Sequence, residues 1–119
     1  MDSSVTIVGN LTRDPELRYT AAGAAVCNFS VAVNRRVKDS SGQWQDGDPT
    51  FVDCTAWQSL AEGVAETVRK GARVIVSGRL KQSSWETPNG KRTKLEVDAD
   101  DVGASLKFAA QREAPLDAP

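Results

Sequence analysis

The sequence predicts an all-β barrel of five strands, with one short helix between the third and fourth strands. Two observations predict this fold class. Apolar residues alternate with polar ones along most of the chain, which is the period of strands that bury one face. One segment instead spaces its apolar residues four apart, at Leu60, Val64 and Val68, which is the stripe of a short helix. With 119 residues, the chain is long enough for one domain with its own core.

The first two strands are predicted over residues 5–11 and 25–35. Gly9 interrupts the first strand and indicates a bulge or bend. In the second strand the odd positions are apolar and the even positions are mostly polar. One face of that strand is therefore expected to be buried and the other wet. Phe29, which lies on the apolar face, is assigned to the core.

A long connection, the third strand and the helix follow. Residues 37–49 are rich in Asp, Ser, Gly and Gln and are predicted to form a long, mobile hairpin loop that contains Trp44. The third strand is predicted over residues 50–57. Directly after it, Ser59-Leu60-Ala61-Glu62 has the pattern of a capping box, in which the serine oxygen accepts from an early helix amide. Gly71 is predicted to end the helix at the C′ position.

The last two strands are joined by a tight turn. The fourth strand is predicted over residues 73–85, and Thr87-Pro88-Asn89-Gly90 is predicted to form the turn. The fifth strand is predicted from Arg92 to about Val102, with Phe108 as its furthest extent. The positions of the fourth strand that are expected to point inward are Val74, Val76, Gly78 and Leu80.

Five strands with one helix between the third and fourth is the element order of the oligonucleotide-binding (OB) barrel. Residues 1–108 are therefore expected to form one OB-fold domain. Residues 109–119 contain two prolines and few large apolar side chains, so they are expected to form a disordered tail.

The charge of the chain is unevenly distributed. The whole sequence carries a formal net charge of −1. Residues 69–94 carry eight basic and one acidic side chain, a net +7, whereas residues 95–119 carry a net −4. A local basic field steers an anion whatever the global sum, so residues 69–94 are a candidate for binding a polyanion.

Aromatic side chains lie among polar residues on two predicted strands. Phe51 and Trp57 share the face of the third strand that lacks the small apolar residues. On the fourth strand, parity places Trp85 on the same face as Arg79 and Lys81. This arrangement is typical of a platform for single-stranded nucleic acid, where each stacked base contributes about 1–3 kcal/mol. The alternative for each ring is partly buried packing.

Trp44 and a set of basic residues complete the candidate site. Trp44 either stacks on bases or packs in a contact between subunits. The side chains predicted to neutralise phosphates lie on the fourth strand, after the helix, around the long loop and beside the last hairpin: Arg35, Arg36, Lys38, Lys70, Arg73, Arg79, Lys81, Arg92 and Lys94. Binding is expected to weaken with salt, because phosphate contacts release counterions.

The composition argues against catalysis. The chain has no histidine, and its two cysteines, Cys27 and Cys54, form no Cys-x-x-Cys pair, so neither a zinc site nor a nucleophilic triad is expected. Both thiols are assigned to the core in the reduced form. Asp98, Asp100 and Asp101 raise a metal-dependent nuclease as an alternative, but adjacent carboxylates are more typical of a solvated edge. No enzyme activity, metal or cofactor is expected.

Three segments of the sequence resemble the bacterial single-stranded DNA-binding protein family. They are Val8-Gly9-Asn10-Leu11-Thr12-Arg13-Asp14-Pro15-Glu16, Asn28-Phe29-Ser30-Val31-Ala32-Val33-Asn34-Arg35 and Val76-Ser77-Gly78-Arg79-Leu80. The resemblance runs from Val5 to about Phe108. The stretch from Gly42 to Trp44 resembles the high-GC Gram-positive (actinobacterial) branch, or a phage of such hosts.

The resemblance implies an OB barrel that assembles as a homotetramer and wraps DNA over aromatic and basic surfaces. It implies that the protein binds and protects single-stranded DNA in DNA replication, recombination and repair. It also implies stacking roles for Phe51, Trp57 and Trp85, which are the residues that parity selects. A further stacking tryptophan of the family corresponds to Val37 here, so stacking is not expected at that position and Trp44 is a candidate substitute.

Location and partners are expected to follow from the same features. No apolar run reaches the length of a membrane span and no basic-then-apolar leader opens the chain, so a cytoplasmic, nucleoid-associated protein is expected. The family usually ends in an acidic tip that recruits partners. This chain ends at Asp117-Ala118-Pro119, so such recruitment is not expected. Two alternatives stay open, namely an OB module that binds single-stranded RNA and one that serves only as a scaffold.

Overall fold

The computed structural model describes residues 3–34 and 36–108, except for the side chains of Arg36 and Asp46. The predicted tail, residues 109–119, and Arg35 lie outside the described residues. Within the described part, no helix has the length and apolarity that a membrane crossing requires. The elements are Ser4–Leu11 (β1), Glu16–Tyr19 (β2), Ala25–Val33 (β3), Arg36–Lys38 (β4), Trp44–Asp46 (β5), Thr50–Trp57 (β6), Gln58–Thr67 (α1), Arg73–Thr87 (β7) and Gly90–Ala104 (β8).

Five long strands close into a ring. β1 pairs with β7, β7 with β8, β8 with β6 and β6 with β3, and β3 returns to β1. The β6–β8 pairing is parallel and the other pairings of the ring are antiparallel. α1 lies between β6 and β7 in the chain. The predicted five-stranded OB barrel, with one helix between its third and fourth strands, is therefore confirmed.

The core fills this ring and extends to α1, which packs against β3 and β6. Val52, Cys54 and Ala56 of β6 are buried, as the alternation predicted. Phe29 of β3 is the largest fully buried side chain among the described residues, and α1 contributes Val64. These inward residues fix the backbone of each strand, so their outward neighbours are held at defined positions on the surface.

The outer face of β3 is more covered than the alternation predicts. Val26 and Ser30 are buried although they occupy the even positions. Val26 lies in register between Arg18 of β2 and Trp57 of β6, so longer side chains flank it on both sides. The expectation of a uniformly wet face is wrong, because β3 has a strand on each side.

Two segments outside the predicted strands contain short strands. β2 pairs with β3 and alternates polar and apolar residues over only four positions, all of which are exposed. β4 and β5 pair antiparallel with each other as a separate two-stranded sheet within the predicted loop. Residues 37–49 therefore contribute to a paired antiparallel ribbon within the predicted hairpin loop, and the sequence prediction did not include these two short strands.

The predicted helix caps do not form. α1 begins directly after Trp57, which makes no side-chain capping hydrogen bond. Ser59 lies inside the first turn, past the position at which a capping box needs its hydroxyl, so that prediction is wrong. The C-cap residue is Val68. Gly71, expected at C′, lies three residues further on with a φ of 88°, and its N–H donates to the carbonyl of Leu11 at 2.8 Å.

The turn between β7 and β8 forms as predicted. Thr87 and Gly90 are the last paired residues, and the hydroxyl of Thr87 donates to the carbonyl of Gly90 at 2.6 Å. Gly90 has a φ of 118°, which suits glycine. β8 ends at Ala104, beyond Val102 and short of the furthest predicted extent at Phe108.

Candidate nucleic-acid interface

The outer face of β6 presents two aromatic rings to solvent. Phe51 is 60% exposed and Trp57 is 47% exposed, so the exposure that parity predicted is confirmed. Asp53 and Thr55 lie between them and are half-buried. The alternate residues of β6 pack in the core, and this packing holds the backbone that carries the two rings in place.

A third exposed ring lies near the tip of the β7–β8 hairpin. Trp85 is 47% exposed and lies directly opposite Arg92, so the two side chains share a face. Lys81 lies on the same face, four residues back along β7. The alternation of β7 is unbroken between them, because the bulge near Gly78 places its extra residue, Asp100, in β8.

The inward face of β7 is buried only as far as Gly78. Val76 is fully buried, whereas Leu80 is 39% exposed. β1 begins at Ser4, opposite Arg79, so beyond this point the described residues place a strand on only one side of β7. The prediction that Leu80 points into the core is wrong for this reason, and the hairpin projects past the barrel.

An ion pair connects β6 to the hairpin. Lys94 Nζ lies 2.9 Å from Asp53 Oδ2, and this hydrogen bond raises the pKa of the Lys94 ammonium. In the parallel register of β6 and β8, Asp53 lies beside Glu96. The outer side of β6 and the Trp85 side of the hairpin therefore form one continuous surface, which we call the joined face. Its aromatic members are Phe51, Trp57 and Trp85.

Basic side chains at the base of the hairpin are paired with carboxylates. Lys81 Nζ lies 3.0 Å from Asp98 Oδ2, and Arg79 Nε lies 3.9 Å from Asp100 Oδ1. Both carboxylates belong to the acidic segment that follows residue 94, which the hairpin folds back against β7. The net +7 of residues 69–94 is therefore partly cancelled where the chain is folded.

The remaining basic residues of this segment differ in their surroundings. Lys91 and Arg92 are exposed near the hairpin tip and form no ion pair with any described residue. Lys70 is exposed after the helix. Arg73 donates through Nε to the hydroxyl of Ser105 at 3.1 Å, and its guanidinium lies 5.1 Å from the ring centroid of Phe108. Arg73 is thus occupied by its own chain.

Trp44 is carried by the separate ribbon formed by β4 and β5. Its side chain is 58% exposed, and the Lys38 ammonium lies 5.6 Å from its ring centroid. The two residues are cross-strand partners, so the cation and the ring form one unit. Val37 is 36% exposed and pairs with Gln45. Arg36 belongs to β4, but its side chain is not described.

Asp39 holds the turn of this ribbon together. Its carboxylate accepts hydrogen bonds of 2.6 to 2.9 Å from the amide and hydroxyl of Ser41, the amide of Gln43 and the side chain of Gln45. The hydrogen bond from the Ser41 hydroxyl, followed by the amide of Gln43, lowers the pKa of Asp39. The ribbon therefore presents Trp44 on a turn that is organised before any ligand arrives.

A polar cavity of about 220 Å³ lies on the joined face between β3, β6 and β8. Arg13 and Lys94 line it together with Asn28 and Thr55, and the Asn28 amide donates to the Thr55 hydroxyl at 3.2 Å. Arg13 reaches the cavity from the connection between β1 and β2. Sequence reasoning missed Arg13, because nothing in its local pattern indicates which surface the connection crosses.

Comparison with known proteins identifies the family. The model of the single-strand binding protein family matches residues 2–105, which include every strand of the ring. The chain belongs to this family. The resemblance inferred from the sequence segments is therefore confirmed.

Several relatives of this chain come from actinobacteria. Single-stranded DNA-binding proteins of Mycobacterium tuberculosis and Mycolicibacterium smegmatis are 55% and 53% identical over 113 residues, covering 93% of this chain and 69% and 68% of theirs. Single-stranded DNA-binding protein 2 of Streptomyces coelicolor is 50% identical, with 93% and 57% covered. The crystal structure of a small single-stranded DNA-binding protein from Streptomyces coelicolor matches with a TM-score of 0.79 and 29% identity, over 89% of this chain and 96% of that one.

The cysteines and aspartates that were considered for metal binding or catalysis have other partners or surroundings in the structure. Cys27 and Cys54 are buried and unbonded to each other, and burial raises the pKa of Cys54 to about 12. Asp98 and Asp100 face basic residues, and Asp101 accepts from the amide of Val102. Among the described residues, no group of three or more acidic, cysteine or histidine side chains is arranged to hold a metal ion.

Proposed function

We propose that this protein binds single-stranded DNA without sequence preference through the joined face. One observation carries the proposal: three aromatic rings, each about half exposed, lie on a single surface that also presents basic side chains. Unstacked bases are available only in single strands, and every base offers a π-face. The surface therefore selects single strands and tolerates any sequence.

The residues divide into two roles. Phe51, Trp57 and Trp85 stack on bases, and Arg92 and Lys94 neutralise the phosphates that run between them. Lys81 and Arg79 extend the phosphate path toward the barrel. The Trp44 and Lys38 unit of the ribbon adds a further stacking position. Lys70 and Arg73, together with Arg35 and Arg36, are further candidates to contact the phosphates of a longer strand.

The biological role follows from that binding. A protein that covers single strands without regard to sequence protects them in DNA replication, recombination and repair, and the family match supports this role rather than an enzymatic one. We propose that it acts as a homotetramer in the cytoplasm, at the nucleoid. Ile75 supports assembly, because it is 40% exposed on the outer side of β7, directly opposite Val8 of β1.

A fluorescence titration tests the binding. The chain has three tryptophans, Trp44, Trp57 and Trp85, and all of them are exposed. Oligo-dT is expected to quench their emission, and the quenching is expected to weaken with salt because phosphate contacts release counterions. No quenching at low salt would contradict the proposal. Competition with oligo-U in the same assay decides between DNA and RNA, and a scaffold module would respond to neither.

A further inference from the structure

The joined face is electrically balanced although its sequence segment is basic. On β6 and the β7–β8 hairpin, four basic side chains lie on this face or at its edge, and the ion pairs and register place four carboxylates among them; Arg13 and Glu16, which line the adjoining cavity, add one charge of each sign. The basic members are Arg79, Lys81, Arg92 and Lys94, and the acidic members are Asp53, Glu96, Asp98 and Asp100. A surface built only to attract phosphate would not carry as many carboxylates as cations.

The closest of these pairs sit where the phosphate path is proposed. Lys81 and Asp98 are 3.0 Å apart, and Asp98 is the more enclosed partner, with 27% of its side chain exposed against 57% for Lys81. Lys94 and Asp53 are 2.9 Å apart and about equally exposed. A phosphate that approaches either ammonium meets a carboxylate that already occupies one side of it.

We propose that Asp98 and Asp53 are specificity-determining residues that withhold this surface from duplex DNA. This inference rests on the proposed function. By neutralising Lys81 and Lys94, the two carboxylates remove much of the phosphate attraction, which single strands and duplexes share. Base stacking then contributes the larger part of the binding free energy, and a duplex, whose bases are already stacked, cannot make that contribution.

The consequence is asymmetric between the two forms of DNA. Each cation that contacts phosphate contributes about 0.9 to the salt slope with duplex DNA and about 0.7 with single strands. Freeing Lys81 or Lys94 from its carboxylate should therefore strengthen duplex binding more than single-strand binding. Removal of an acidic residue would strengthen binding overall while it weakens discrimination.

The test compares Asp98→Asn and Asp53→Asn with the wild-type chain and a matched control. Glu66→Gln is the control, because Glu66 is exposed on α1, forms no ion pair with a described residue and loses the same charge. Dissociation constants are measured for an oligo-dT strand and for an oligo-dT·oligo-dA duplex of equal length over a series of salt concentrations. Circular dichroism checks that each variant is folded.

We expect Asp98→Asn to strengthen duplex binding about fivefold and single-strand binding about twofold, which is the range of an exposed ion pair. The salt slope for each ligand should steepen by at most the contribution of about one cation, which is about 0.7 for a single strand and about 0.9 for a duplex. In a Lys81→Ala background, Asp98→Asn should then change affinity no more than Glu66→Gln does, since a double-mutant cycle isolates the pair.

Equal ratios of single-strand to duplex affinity in Asp98→Asn, Asp53→Asn and Glu66→Gln would overturn the inference. So would an effect of Asp98→Asn that survives in the Lys81→Ala background. If the wild-type chain bound neither oligo-dT nor the duplex at low salt, the proposed function would fail and the inference with it. Wild-type binding with unchanged discrimination would overturn the inference alone.

Discussion

The base and the tip of the β7–β8 hairpin differ in how their charges are used. At the base, Lys81 and Arg79 face Asp98 and Asp100 across the two strands. At the tip, Arg92 lies opposite Trp85 and pairs with no carboxylate among the described residues. A basic run in a sequence is therefore not a basic surface in a fold, because strand pairing decides which charges meet.

The largest effect is expected at the tip. Trp85→Ala should weaken the binding of oligo-dT about 5- to 160-fold, because it removes a stacking contribution of about 1–3 kcal/mol. Trp85→Phe is the matched control and should retain most of the affinity, since a ring remains. Fluorescence anisotropy of a labelled strand measures both. Equal losses in the two variants would show that packing of the indole, and not stacking, matters at this position.

Stability should depend more on the base of the hairpin than on its tip. A Cβ at Gly78 would collide with the backbone carbonyl of Asp98, whereas a Cβ at Gly90 would meet no atom within 4 Å. Gly78→Ala should destabilise the fold by about 1–3 kcal/mol through this overpacking, and Gly90→Ala by about 1 kcal/mol through its positive φ. Urea denaturation measures both. A larger loss in Gly90→Ala would contradict the comparison.

The two cations should differ in their salt dependence. Arg92→Ala should reduce the salt slope of oligo-dT binding by about 0.7, the contribution of one cation that contacts a single strand. Lys81→Ala should reduce it by less, because Asp98 already neutralises Lys81. The slopes are read from titrations between low and physiological salt. A larger change in Lys81→Ala would place the phosphate path at the base instead.

The smallest effect is expected from the ribbon, which forms a two-stranded sheet of its own, separate from the hairpin. Asp39→Ala should weaken oligo-dT binding by only about twofold, because it loosens the turn below Trp44 without removing the ring. Asp39→Asn keeps the shape of the side chain, and its affinity for oligo-dT should fall between those of the wild-type chain and Asp39→Ala. Emission from Trp44 in a Trp57→Phe, Trp85→Phe background reports the order of the turn. Unchanged emission in Asp39→Ala would contradict this role.

The ribbon should also respond to acid. Because hydrogen bonding lowers the folded-state pKa of Asp39, its carboxylate stabilises the ribbon fully above the ordinary aspartate pKa of 3.8. That contribution is lost as the pH falls below this value and through the lowered pKa. The same Trp44 emission, followed from pH 6 to pH 2, measures the transition. A transition above pH 5 would point to another group.

The barrel could be predicted from sequence because its strands each bury one face. The alternation in β6 gave both the buried set around Cys54 and the exposed rings Phe51 and Trp57. β2 was missed, because its polar–apolar alternation covers only four residues and buries no face. The position of Leu80 also escaped prediction, because where a strand outruns its neighbour is a property of the whole sheet.

The candidate site was less accessible to prediction than the fold. Parity identifies which rings face outward, but the pairing of Lys94 with Asp53 joins residues more than forty positions apart and has no local signal. The bulge at Asp100 likewise sets which carboxylates face Arg79, and it depends on the register of β7 and β8. Charge counted along the chain therefore overstated the field at the site.

Quenching of Trp85 tests the central claim most directly. In a Trp44→Phe, Trp57→Phe background, Trp85 is the only tryptophan left. Saturating oligo-dT at physiological salt is expected to quench its emission strongly and to leave it shielded from a soluble quencher such as acrylamide. Bound oligo-dT, shown by anisotropy, with unchanged Trp85 emission and access would contradict the claim that bases stack on the joined face.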